Sequence, residues 1–296
     1  MNQFNPSKEN FYRPSGKMPL GGSILFLILS AVAVTVLGLI YGVLIFYIPI
    51  VQLSAFAVIG YVIAVSAVLN KSILAGKIRN PIFTALAVFV FSIYAEYIGW
   101  VAWIATFAKD ASYLIEFFFP LDILSIIIQL GKEGVWSMDG NTPRGGFLYL
   151  IWALEALTVI GGITYTTVKS TAGMLFCEES NMWVTKKDLL GVFSPITNIN
   201  QTKQDVAQGN LSALNDLSPA KPNSTHFSLL EIYECDHCKN FRVLNLDDGT
   251  MARDRKGRVI TKTQPIIKNL MISSMAFSNL KRMIEEKRVA SLDQKT

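Results

Sequence analysis

The sequence predicts a membrane-embedded, all-α four-helix bundle followed by a small α+β soluble domain with an antiparallel sheet. Three observations carry this. No charged residue occurs between Lys17 and Lys71, a run of 53 positions. Two later apolar stretches, about 81–107 and 147–168, hold one acidic residue each. From Lys169 onward the chain carries 18 of its 27 Lys and Arg and 14 of its 22 Asp and Glu, a net charge of +4, as a water-soluble domain would.

Drawn as one helix, the uncharged run would measure roughly 80 Å against a hydrocarbon core of about 30 Å, so it must fold back on itself. Tyr47-Ile48-Pro49 is the natural break, because proline cannot continue the backbone ladder and aromatic rings favour the interface. The first helix then covers about 20–46 and the second about 49–70. Lys8, Arg13 and Lys17 ahead of Ala31-Val32-Ala33 imitate a signal peptide, but the apolar run continues past that point and an uncleaved helix is expected. A third helix opens at Pro81 and runs to about 107, and a fourth covers about 147–168. The segment 111–131 is apolar enough to be weighed as a fifth crossing. Glu116, Pro120 and Asp122 interrupt it, so it is expected to lie in the interface, with Asp122 near a helix N-terminus.

Basic residues near helix ends set the expected orientation. Lys8, Arg13 and Lys17 precede the first helix, and Lys71, Lys77 and Arg79 follow the second, whereas the loop between the third and fourth holds three basic against five acidic residues. A plasma or inner membrane is expected, with the N-terminal segment 1–19 and the domain 169–296 both cytoplasmic and 20–168 embedded.

Glu96 and Glu155 fall near the middle of the third and fourth helices. Carboxylates at that depth are costly unless paired. Helical spacing places Ser92, Glu96, Trp100 and Trp103 on one face, and Trp152, Glu155 and Gly162 on another, with Gly161-Gly162 allowing close approach. Two readings follow. The carboxyls share a proton in a relay or ligand site, as in a small proton-linked transporter or channel-like protein, or each accepts from a Tyr or Trp and ties helices together.

In the soluble half, Leu211, Leu214 and Leu217 have helical spacing and Ser218 to Asn223 reads as a turn. Phe227, Leu229 and Tyr233 alternate as on a strand, as do Arg242, Leu244 and Leu246. Asp247-Asp248-Gly249 and Lys256-Gly257 read as turns, 258–263 and 266–272 as strands, and 274–289 as a closing helix.

Cys235-Asp236-His237-Cys238 stands between two strands, and two cysteines so spaced on a turn can aim at one ion. The arrangement resembles one knuckle of a zinc ribbon. A second knuckle is sought at Cys177-Glu178-Glu179-Ser180, where Ser180 stands in place of a cysteine. The expected metal set is therefore Cys177, Cys235 and Cys238 with His226, or an Asp or Glu nearby, as the fourth ligand, for one structural zinc or none. The competing reading is cysteines packed as small apolar residues.

There is no phosphate-binding glycine loop, nucleophile elbow or paired-His helix, and the Lys and Arg form no recognition helix, so neither an enzyme nor a nucleic-acid binder is expected. The function expected is a membrane anchor carrying a cytosolic interaction or regulatory domain. Its partners would be the bilayer and a protein at the cytosolic face, with self-association into a homo-oligomer also compatible. A zinc- or redox-responsive sensor is the third reading.

Overall fold

The computed structural model describes residues 10–48, 51–135, 142–208, 210, 214, 217–221, 224–238, 240–253 and 258–293. They divide into two units, 14–174 and a second joining 10–13 to 175–293.

The first unit contains α1 (Leu20–Tyr47), α2 (Val51–Gly76), α3 (Pro81–Ala108), a 3-10 helix (Ala111–Phe118), α4 (Pro120–Glu133) and α5 (Gly146–Thr171). Among the described residues, α1, α2, α3 and α5 are long and apolar enough to cross a bilayer. Their ends have local causes. Asn80 accepts a hydrogen bond from the Phe83 amide (3.0 Å) and Pro81 occupies the first turn of α3, which stops where Lys109 turns left-handed. Pro49 lies outside the described residues. The expected end of α2 at 70 is too early: the helix continues to Gly76, carrying Lys71 within it, and breaks at Lys77 with φ 51°. One charge near a helix end is tolerated because a lysine stem reaches toward the interface.

α4 has 14 residues, about 21 Å of rise, short of the hydrocarbon thickness. Phe119-Pro120 separates it from the 3-10 helix, and Ile123 packs against Val101 and Ile104 of α3.

α1 packs against α2 and α3, and α5 packs against the same two, so α1 and α5 face each other across the bundle. Phe26, Val34, Val65, Val88, Val159 and Ile163 fill the centre. Small residues let the backbones close in. Gly38 and Gly42, four apart on α1, meet Ile98, Gly99 and Ala102 of α3; Gly22 and Gly76 bring α1 against α2. The outer faces keep apolar side chains exposed, Leu20, Phe56, Ile82 and Leu157 among them, as lipid contact requires.

The second unit holds a hairpin of β1 (Leu175–Cys177) and β2 (Met182–Val184). It also holds an antiparallel sheet in the order β3 (Lys187–Phe193), β4 (His226–Glu234), β5 (Arg242–Arg253) and β6 (Val259–Met271). Among the described residues it also holds the α-helices α6 (Ile199–Ala207) and α7 (Ser274–Asp293). One sheet face, with Leu230, Ile232, Leu244, Leu246 and Ile267, packs with Val206 of α6 and Leu280 and Ile284 of α7. Tyr233 belongs instead to a smaller cluster with Leu175, Cys177, Val184, Phe241 and Val243.

Two turn expectations meet the sheet differently. Asp247-Asp248-Gly249 is not a turn: it lies inside β5, paired with Leu229, Ser228 and Phe227. Gly249 is required there because the Phe227 ring covers its Cα, leaving a Cβ only 2.6 Å from the ring Cζ. Lys256-Gly257 lies outside the described residues. The two expected strands after it form one strand, β6, whose register shifts opposite Leu244–Asp247. There Asn269 takes φ 63° and gives its amide to the Asn245 side chain at 2.7 Å, which keeps the irregular ladder satisfied.

The N-terminal segment joins this sheet. Tyr12 N–H donates to Asn269 O and Met271 N–H to Asn10 O, both at 2.8 Å, so residues 10–12 extend the sheet beyond β6. Nothing in that short stretch announces a strand.

Candidate functional site

Two local turns build the thiol site. Cys177 ends β1, and the chain reverses through Glu178, Glu179, Ser180 and Asn181 into β2, with Asn181 at φ 53°. Cys235 follows the last residue of β4, and the turn to β5 is closed by Cys235 N–H donating to Phe241 O at 3.3 Å. The smaller core cluster holds the two turns together, and their side chains converge.

The Sγ atoms of Cys177, Cys235 and Cys238 all lie within 4.8 Å of one another, in three free cysteines. Cys177 Sγ is 3.2 Å from Cys238 Sγ, and Ser180 Oγ is 3.1 Å from Cys235 Sγ. The turn from Cys177 to Ser180 thus lies against the turn from Cys235 to Cys238, and three thiols and one hydroxyl cluster there. Cys177 is buried and the others are half-buried.

Backbone amides face the sulfurs. The His237 N–H reaches Cys235, and the Asn240 and Phe241 N–H groups reach Cys238. Burial pushes the Cys235 thiol up, but the Ser180 hydroxyl, the His237 amide and the neighbouring thiols outweigh it and bring it down to about 7. Burial and the bonds to Cys177 and Cys235 hold Cys238 well above the usual thiol value.

His226 is not part of this set. It begins β4, opposite Thr250, while Cys235 follows the other end of that strand, about 30 Å along an extended backbone. An extended strand separates its ends by its full length, which residue spacing alone conceals.

The second candidate lies in the bundle. Glu155 on α5 accepts a hydrogen bond from the Tyr41 hydroxyl of α1, across the bundle centre. Glu96 on α3 accepts from Trp100 Nε1, one turn along the same helix, at 3.0 Å. Its Oε2 atom is buried without a hydrogen-bond partner among the described residues. Tyr41 stacks flat on Tyr61 (4.2 Å between centroids), whose hydroxyl donates to Ala95 O at 2.9 Å.

The faces of α3 and α5 meet as the helical spacing implies. Ser92 and Thr164 hydroxyls are 3.1 Å apart, and Trp100 stands edge-on to Trp152 at 5.0 Å. Trp103 stands edge-on to Trp100 at 5.8 Å and stacks on Phe107 at 5.2 Å. Gly162 does not bring α5 to α3 but to α2, where Val62 covers it. Tyr41 and Tyr61 went unread in the sequence, where an aromatic in an apolar helix looks like any core residue. The signal available was Gly38-x-x-x-Gly42, which brackets Tyr41 and marks the face of α1 that packs closely.

No family model, no curated protein and no solved structure matches this chain.

Proposed function

We propose that this multi-pass membrane protein carries its soluble domain on the cytoplasmic side of a plasma or inner membrane. There the domain works non-enzymatically, as an interaction or regulatory module for a protein in or at that membrane. One observation carries the reading: residues 10–12 pair with 269–271 in one sheet. The segments before α1 and after α5 thus share a folded body, which requires an even number of crossings between them. Lys17, Lys77 and Arg79 sit at the helix ends facing that same side, and basic flanks favour the cytoplasm.

The interaction surface is best sought on β5 and β6. Their pairing continues past His226, where β4 begins, into a two-stranded arm from Met251 to Arg253 and Val259 to Thr261. Met251, Val259 and Ile260 are exposed on it, an unusual concentration of apolar area on a water-facing ribbon. A reporter fused at the C-terminus is expected to be active only in the cytoplasm. A photo-crosslinker at Ile260 is expected to trap one protein, a different chain or a second copy of this one. An external reporter, or crosslinking no stronger than from exposed Lys281, would refute the reading.

A second reading, proton or cation passage through the bundle, is favoured by Glu96 Oε2, buried without a hydrogen-bond partner among the described residues, and by the Tyr41–Glu155 bond across the bundle. It expects Glu96→Gln and Glu155→Gln each to abolish an ion flux in proteoliposomes, and no flux in the parent protein removes it.

A further inference from the structure

We propose that Cys177, Cys235 and Cys238 hold one zinc ion as thiolates. The fourth coordination position, facing Ser180, is filled by no thiolate and remains open to exchange.

The distances suit this ion. Zinc–sulfur bonds of about 2.3 Å in a tetrahedron set neighbouring sulfurs about 3.8 Å apart. The three Sγ atoms, all within 4.8 Å and at closest 3.2 Å, need shift by less than about 1 Å to meet that figure. The chemistry suits it as well. Three sulfurs select a thiophilic ion over magnesium or calcium, and zinc takes four ligands without redox change. Amides of His237, Asn240 and Phe241 aim N–H dipoles at two of the sulfurs, as outer-shell donors to thiolate ligands do. Binding the ion converts thiols to thiolates and releases their protons.

Ser180 decides what kind of site this is. It holds the place that a fourth cysteine would take, with its oxygen 3.1 Å from Cys235 Sγ. A neutral hydroxyl is a poor zinc ligand beside three thiolates. Closed structural sites carry four protein ligands, whereas three ligands and a free position describe sites that exchange. A surface cavity lined by Lys186, Asp236, His237 and Arg242 opens onto Cys235 and Cys238, and Ser180 is itself only half-buried, so water has access to the thiols and to the hydroxyl.

Metal occupancy would be felt beyond the ligands. Phe176, next to Cys177, donates its amide to Tyr12 Oη at 3.0 Å, and the Tyr12 ring meets Phe241 edge-on at 5.7 Å. The ion therefore ties together the β1–β2 hairpin, the β4–β5 turn and the seat of the N-terminal segment. Losing it loosens the hairpin and that seat first.

The test uses the intact chain, purified in detergent under reducing, chelator-free conditions. One zinc per chain is expected, and cobalt in its place should give thiolate charge-transfer absorption and four-coordinate visible bands. Cys177→Ser and Cys235→Ser should lose stoichiometric metal. Ser180→Ala should keep it with affinity changed less than about threefold, and Ser180→Cys should hold zinc at least about tenfold more tightly in chelator competition. Chelation should speed amide exchange in 175–184 and 10–12 about tenfold or more while central β4 and β5 amides stay protected. The proposal is overturned by a metal-free chain whose three thiols all alkylate, by a Cys177–Cys238 disulfide in their place, or by full zinc in Cys235→Ser. Loss of zinc in Ser180→Ala would make the hydroxyl the fourth ligand and overturn the open position. So would Ser180→Cys binding no tighter; should that variant misfold, Ser180→Ala and the cysteine variants still decide.

Discussion

Replacing Gly42 by alanine is expected to loosen the bundle, while the same change at Gly60 is not. At Gly42 the new methyl would sit 2.6 Å from Ala102 Cβ and 2.9 Å from Trp103 N, with the Gly99 carbonyl oxygen nearer still. Ordinary contact begins at 3.4 Å, so α1 and α3 would have to part by at least about 0.8 Å, and backbone atoms cannot swing aside. Overpacking of this kind costs about 1–3 kcal/mol. Alanine recovers up to about 1 kcal/mol in helix propensity, leaving a net loss of roughly 0–2 kcal/mol. At Gly60 nothing lies within 4 Å of the new methyl, so only the propensity gain operates. The two variants should thus differ by about 2 kcal/mol. SDS titration of the intact chain in mixed micelles measures this, with fluorescence from Trp100, Trp103 and Trp152 following the bundle. Adding Ala102→Gly to Gly42→Ala should recover part of the loss, since it removes one of the facing methyls. Equal stability of the two single variants would refute the close approach of α1 and α3.

In the soluble unit, Gly249→Ala should destabilise by about 1–3 kcal/mol, because Phe227 is buried and its ring has no room to withdraw; Phe227→Leu in the same chain should relieve it, as read by thermal unfolding. Tyr12→Phe removes the acceptor of the Phe176 amide and should cost about 1 kcal/mol, visible as faster amide exchange at Phe176. Burial, with the charge of Glu231, raises the Asp247 carboxyl above its ordinary value despite Lys187 and Lys268. A folded state that holds this proton more tightly loses stability when the group ionises, a penalty absent below about pH 4 and full above the raised pKa. Asp247→Asn should therefore raise the melting temperature at neutral pH, with the gap closing on acidification; a gap that widens in acid would refute the assignment.

How far the sequence could be read depended on how local each cause was. The four long apolar helices were legible because a bilayer demands about 20 apolar residues in a row, and such runs survive any packing detail. The matched spacing of Cys177 to Ser180 and Cys235 to Cys238 was legible for a similar reason, since each pair sits on its own turn. His226 was misread because its distance from Cys235 depends on how long β4 runs without bending. Asp247-Asp248-Gly249 carries turn chemistry, yet the Phe227 ring across the ladder needs that glycine in a strand, and tertiary packing prevailed over local preference. Likewise, Tyr41 finds Glu155 on a helix more than 100 positions away, a pairing that periodicity within either helix does not register.

The seam between residues 10–12 and β6 also imposes an order on the molecule's birth. Tyr12 leaves the ribosome about 250 residues ahead of Asn269, its hydrogen-bond partner, with all four long apolar helices made in between. The leading segment must wait, unpaired, until nearly the last strand is translated. The bundle is thereby inserted before the domain can close, and any truncation upstream of β6 leaves the start of the chain without its place.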